Sequence, residues 1–312
     1  MGAIEALAAS FALMLVGAAL ARLSVVSAVG WAEVEKLAYW ALFPALLVAS
    51  LVKAPPAGLE AVKLGAALVG GQVFAFALVW SFGRRRLSGP VLPSVVQGAI
   101  RYNTYIAFAT ALAAQGAAGL ERLTPALAPL IIAANILSVG AHALALNGAA
   151  LSGAGQGTPT SSPWLKALKE LATNPLVLAS LLGLTLNLTG LIPPGLVLRV
   201  LEALGGASLP LALLAVGAGL KLGAETLRDL PLILWTSLVK FLVWPAAAFA
   251  LAWALGLGPE GRQLALLTAA APTATASYVL ARRLGGDARL MASLISAQTL
   301  LAAPVLFLLL SL

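Results

Sequence analysis

The sequence predicts an all-α integral membrane protein of ten transmembrane helices, arranged as two inverted five-helix repeats with broken, crossing helices 4 and 9. Three observations predict it. Of the 312 residues 61% are hydrophobic and 10% charged, with a mean hydropathy of +1.00, far from the composition of a soluble globular domain. Long apolar runs recur between clusters of charge, glycine and proline, each near the roughly 20 residues that a helix needs to cross a bilayer and too long for barrel strands. Two of these runs, at corresponding places in two halves of the chain, are interrupted by polar or helix-breaking residues: Arg101-Tyr102-Asn103-Thr104 and Ala271-Pro272-Thr273-Ala274-Thr275.

Taken in order, the predicted spans cover roughly residues 3–21, 33–52, 62–82, 91–114, 124–147, 167–190, 196–220, 230–256, 262–283 and 288–311. The first has Glu5 ahead of it in place of a basic region and is followed at once by further spans, so it reads as a membrane helix and not a cleaved signal. The polar stretch after the fifth span, rich in Gly, Ser, Thr and Pro, reads as a linker over 148–165. It divides the chain into a first five-helix repeat, 1–147, and a second, 166–312. An odd number of spans per repeat makes the second enter the membrane inverted. Sliding the sequence along itself sets Asn103-Thr104 on Pro272-Thr273, Ala107 on Ala276 and Gly116 on Gly285. Phe43-Pro44-Ala45-Leu46 has a counterpart in Ser208-Leu209-Pro210-Leu211.

Charge fixes the orientation. Arg22, Lys36, Arg84, Arg85, Arg86, Lys166, Lys169, Lys221, Arg228, Arg282, Arg283 and Arg289 fall on one side, against Lys53, Lys63, Arg122, Arg199 and Arg262 on the other. The positive-inside rule places the first side in the cytosol, with both termini outside and the loop between helices 5 and 6 cytosolic. Topology thus accounts for the net charge of +8 without a nucleic-acid partner. Arg84-Arg85-Arg86 also suits anionic lipid. With no cysteine and one histidine, a thiolate or multi-histidine metal centre is excluded. No cofactor is expected. The spans hold neither paired carboxylates nor a Ser/His arrangement of recognisable spacing, which argues against an enzyme.

The candidate site follows from the breaks. Interrupting a helix in the bilayer leaves amides at the start of its second piece, which favour an anion, and carbonyls at the end of its first, which favour a cation. Asn103, Thr104, Thr273 and Thr275 add side-chain donors, and Pro272 supplies a rigid break. Equally, a membrane proline can merely kink its helix and threonine can bond its own backbone. Arg101 and Lys240 are the basic residues well inside predicted spans, and no Asp or Glu lies at comparable depth. Both are candidates for substrate contact; binding of carbonyls or snorkelling to an interface is the alternative. Asn135, Ser138 and His142 share one face of the fifth span. Asn135 is a candidate for the substrate site. His142 is a candidate proton relay, since an ordinary histidine titrates near pH 6.5, or else an interfacial residue. Gln298, with Gln72 and Gln97, is a candidate for polar lining or for helix packing. With these ligands any sodium site would be weak, which argues against obligatory sodium coupling.

The run Arg101-Tyr102-Asn103-Thr104-Tyr105-Ile106-Ala107, then Asn174-Pro175-Leu176, then Ala271-Pro272-Thr273-Ala274-Thr275 and Leu284-Gly285-Gly286-Asp287-Ala288, resembles the auxin efflux carrier family and its bacterial members. The resemblance implies a transporter of two inverted repeats whose fourth and ninth helices cross. Its substrates would be small organic anions, such as auxin, malonate or another dicarboxylate. It implies alternating access, export, and a place in the cell inner membrane. The family is related in fold to bile-acid and sodium symporters, and the short central linker fits a prokaryotic member. A homodimer is compatible with the sequence. A non-transporting sensor or lipid-binding protein on the same fold is the alternative reading.

Overall fold

The computed structural model describes residues 3–53, 58–87, 89–151, 172–220 and 224–311, and every regular element among them is helical. Seven helical stretches are long and apolar enough to cross a membrane, and Pro175–Thr189 is a shorter apolar helix. Most of the linker at 148–165 and the start of the sixth predicted span lie outside the described residues, as do Lys166, Lys169 and Lys221.

Helix α1 is Ala3–Arg22, with Glu5 in its first turn and Arg22 in its last, the charge order that complements a helix dipole. The second stretch is α2, Ala28–Leu37, and α3, Phe43–Lys53. Ser27 caps α2 by accepting from the Gly30 amide. A π turn, Ala38–Leu42, joins the two. It has a plain cause: Pro44 cannot donate and its ring would strike the carbonyl four residues back. The helix widens by one residue, and the Phe43 amide bonds to the carbonyl of Ala38. Pro245 does the same later in the chain. Between α10, Leu230–Leu238, and α11, Trp244–Ala254, lies a second π turn, Val239–Val243, closed by the Trp244 amide on the Val239 carbonyl.

The remaining elements are α4, Leu59–Gly83; α5, Val91–Ile100; α6, Thr104–Leu151; α7, Pro175–Thr189; α8, Gly195–Ala218; α9, Ala224–Arg228; α12, Pro259–Ala269; α13, Ala276–Leu284; and α14, Ala288–Ser311. Helix α6 turns back sharply at Gly116, whose φ of 63° and ψ of −150° are not helical, so that residues 104–115 and 117–151 form two arms. Gly285, at the end of α13, also takes a positive φ, 79°. Just beyond it Asp287 ties three elements together. Its amide donates to the Pro90 carbonyl, its carbonyl accepts from Ser94 Oγ, and its side chain accepts from the Leu290 amide, capping α14. The motif Leu284-Gly285-Gly286-Asp287 therefore closes the return from α13 to α14.

Packing gathers the helices into two groups, with α6 lying against both. In one, α1 lies along α8, and α3 lies against both α7 and α8. In the other, α4 lies along α11 and α6, and α12 lies against α4, α6 and α11. Lipid tails are as apolar as leucine, so membrane helices associate through close packing more than through a hydrophobic drive. The α1–α8 crossing is the closest example: a Cβ on Gly217 would fall inside the Met14 carbonyl, and one on Gly17 inside that of Leu214. Gly206 has open space around its Cβ position. Gly217→Ala should therefore lower the thermal stability of the detergent-solubilised protein by about 1–3 kcal/mol. Gly206→Ala should leave it unchanged or raise it by up to ~1 kcal/mol; equal melting temperatures for the two variants would refute the close crossing.

Candidate functional site

The two interrupted helices meet where the sequence places their breaks. Helix α5 ends at Ile100 and α6 starts at Thr104; α12 ends at Ala269 and α13 starts at Ala276. The breaks touch backbone to backbone, with the Asn103 amide donating to the Pro272 carbonyl at 2.6 Å. Pro272 is buried and, lacking an N–H, serves the crossing through its carbonyl alone.

The carbonyl end of α5 is claimed group by group. The Gly98 carbonyl accepts from Gln298 Nε2 at 3.1 Å and lies 2.7 Å from Thr273 Oγ1. That hydroxyl is also 2.6 Å from Gln298 Oε1, and its single proton serves one acceptor at a time. Gln298 Oε1 accepts from the Thr273 amide at 3.2 Å. The Ile100 carbonyl accepts from Gln72 Nε2 at 2.9 Å, and the Arg101 carbonyl from Lys240 Nζ at 2.9 Å. Thr273, Gln298, Gln72 and Lys240 are all buried. They hold the break together.

The amide ends of the second pieces differ from each other. Asn103 Oδ1 accepts from the amides of Tyr105 and Ile106 at 3.0 and 3.2 Å, so the α6 N-terminus is capped by its own chain. Asn103 Nδ2 remains to serve as a donor. Helix α13 has no side-chain cap: the Thr275 hydroxyl instead donates to Glu35 Oε1 at 2.5 Å. The Ser277 and Tyr278 amides of α13 donate to the Ala274 and Thr275 carbonyls, so its amide end is closed by its own backbone and by no side chain.

A cavity of about 630 Å³ lies against this end, the size of a small-molecule site. Its wall takes residues 101–105 from the first break, Ile131, Ala134 and Asn135 from the long arm of α6, and 274–276 with one face of α13 from the second break. The opposite wall is α2 with the first π turn, and the start of α7. The cavity therefore lies between the two packing groups. Along the first wall Arg101 donates from Nη1 to Asn135 Oδ1 at 3.0 Å. Tyr105, on the rim of the first break, packs on Phe43 with ring centroids 4.2 Å apart.

The ten residues singled out from the sequence thus divide. Arg101, Asn103, Thr104, Asn135 and Thr275 line the cavity. Pro272, Thr273, Gln298 and Lys240 stand behind it, in the crossing itself. His142 is elsewhere: its Nδ1 donates to the Ser138 carbonyl at 2.8 Å, and its Nε2 faces Gly286, where a Cβ would approach within 2.8 Å.

Glu35 is a lining residue that the sequence analysis left without a role; it brings a carboxylate to the second break, where it accepts from the Thr275 hydroxyl. Asn174 is a second lining residue that the sequence analysis left without a role. Its signal was legible: Asn before Pro175 is an N-cap followed by proline at the first helical position, and Asn174 Oδ1 accepts from the Leu176 and Val177 amides. Lys36, Tyr278 and Arg283 complete the polar lining, and no pattern in the sequence distinguishes them from other interfacial residues.

The division yields a contrast. Gln298→Leu should cost about 1–3 kcal/mol for the buried Thr273 amide it strands, read as a fall in thermal stability, while the Thr273 hydroxyl still serves the Gly98 carbonyl. Thr275→Val, on the cavity wall, should melt close to the unaltered protein. If Gln298→Leu were as stable as Thr275→Val, the amide would have no part in holding the crossing.

Among known proteins, residues 126–310 match the family model described as "Membrane transport protein". The match takes in the long arm of α6, with Asn135 and His142, and everything beyond, including the second break. No curated protein sequence matches the chain significantly.

Proposed function

The chain belongs to the membrane transport protein family, that of the auxin efflux carriers, and from that premise we propose that it is a secondary carrier of a small organic anion whose carboxylate binds at the crossing. The observation that carries this reading is the N-terminus of α13, which no side chain caps, facing the 630 Å³ cavity. Backbone amides and the positive end of the dipole favour an anion there. Asn103 Nδ2 adds a donor from the other break, and Arg101 with the exposed Lys36 and Arg283 outweighs Glu35 in charge. A bound carboxylate competes with Glu35 for the Thr275 hydroxyl.

We read the scaffold as ten spans in two inverted repeats, 1–147 and 166–312, joined by a cytosolic linker. Packing supports this reading. Exchanging first with sixth and second with seventh spans turns the α1–α8 contact into that of α7 with α3, and both contacts are present. The third and eighth spans, α4 and α10–α11, pack on each other, as self-paired elements of such an exchange would. Glycines at positive φ, Gly116 and Gly285, end the two broken spans, the first with ψ −150° and the second in the left-handed helical region with ψ 20°. Because the cavity lies between the two packing groups, moving one against the other would carry the site across the membrane in alternating access. Lys36 and Arg283, cytosolic by the positive-inside rule, mark the side on which the cavity opens in a cell inner membrane.

Counterflow in proteoliposomes tests the proposal. A panel of labelled carboxylates, including indole-3-acetate and malonate, should contain at least one that exchanges saturably. Asn103→Ala and Thr275→Val should each weaken that exchange by about tenfold, the effect of losing one hydrogen bond to a charged group, while His142→Ala retains it. Saturable binding without flux would point to a sensor on the same fold, and a larger loss in His142→Ala than in Asn103→Ala would move the mechanism to a histidine relay.

A further inference from the structure

Lys240 is fully buried in the second π turn, and no carboxylate pairs with it among the described residues. An ammonium in such a place needs electron-rich neighbours, and two are present. Its Nζ donates to the Arg101 carbonyl at 2.9 Å and lies 3.9 Å from the centroid of the Trp244 ring. Trp244 is itself fixed, its Nε1 donating to the Leu68 carbonyl at 3.1 Å. The neighbouring carbonyl of Ile100 is held by Gln72 Nε2. Beside it Gln72 Oε1 is buried with no partner among the described residues.

These are ligand types of a monovalent-cation site: backbone carbonyls at the end of a broken helix and a side-chain amide oxygen. The place at which such a helix would hold a coupling ion is instead filled by a charge tethered to the chain. We propose that Lys240 is a built-in cation that substitutes for a coupling sodium ion at the carbonyl end of α5, making the carrier indifferent to sodium. The inference rests on the crossing being the transport site, but it concerns the cation end of the break and not the anion cavity, whose wall Lys240 does not join. A tethered cation can neither dissociate nor exchange, so it stabilises the break in every conformation and ties the anion to no sodium gradient.

The test is thermal unfolding of the purified full-length protein in detergent, with sodium chloride compared against choline chloride at equal ionic strength and with no anion added. The unaltered protein and Lys240→Arg should melt alike in both salts. Lys240→Ala, which vacates the corner, should gain a sodium-selective rise of roughly 3 °C or more at saturating salt. Lys240→Gln keeps a donor for the Arg101 carbonyl without the charge, so it decides the matter if Lys240→Ala does not fold. Sodium-selective stabilisation of the unaltered protein would overturn the proposal. So would the absence of a sodium-selective rise in folded Lys240→Ala or Lys240→Gln. Because the readout needs no substrate, failure of every carboxylate to bind would remove the carrier assignment and leave this result standing.

Discussion

Inside a bilayer no water is available to a backbone group that its helix has abandoned, and each such group left bare costs several kcal/mol. The crossing of the two broken helices is the place where this protein meets that constraint. At the end of α5 the carbonyls of Gly98, Ile100 and Arg101 take donors from Thr273 and Gln298, from Gln72 and from Lys240. Those side chains come from four other stretches of the chain. The break therefore acts as a junction: α4, the second π turn, the second break and α14 are each fixed to it by a hydrogen bond that nothing else in the membrane could replace.

The same constraint explains the asymmetry of the site. A helix N-terminus in hydrocarbon must also be satisfied, and the two are treated differently. Asn103 closes the start of α6 with its own oxygen, whereas Thr275 turns its hydroxyl away from α13 toward Glu35. One amide end is thereby closed by a side chain and the other by its own backbone alone. A single side chain at each break decides how its helix begins.

Much of the fold was legible in the sequence, because apolar runs of span length and clusters of charge are statements about solvent. Both breaks were legible for the same reason: Asn103 and Pro272 are costly within a membrane helix unless something compensates. What could not be read was which groups compensate. Thr273 and Gln298 suggest ligands as readily as packing, and only their shared hold on Gly98 shows that they serve the backbone. Glu35 carries no signal in the sequence, because distance along a helix does not report which side chains meet at a cavity. Asn103 was read as a ligand where capping logic already offered a second use for its oxygen.

Lys240 shows how far the two kinds of reading can diverge. In the sequence it is an intramembrane charge without an acid, which suggests that it awaits an anion. In three dimensions it points the opposite way, into carbonyl oxygen and an indole face, and is closed off from the cavity. A charge so placed cannot attract substrate by contact, but it neutralises the negative end of α5 at its most exposed point. The amide end of α13, a few residues across the same crossing, then need not share its positive field with an uncompensated row of carbonyls. Lys240 behind the crossing and the cavity in front of it thus lie at two ends of one arrangement of dipoles, the first closed by the chain itself and the second lined by the start of α13.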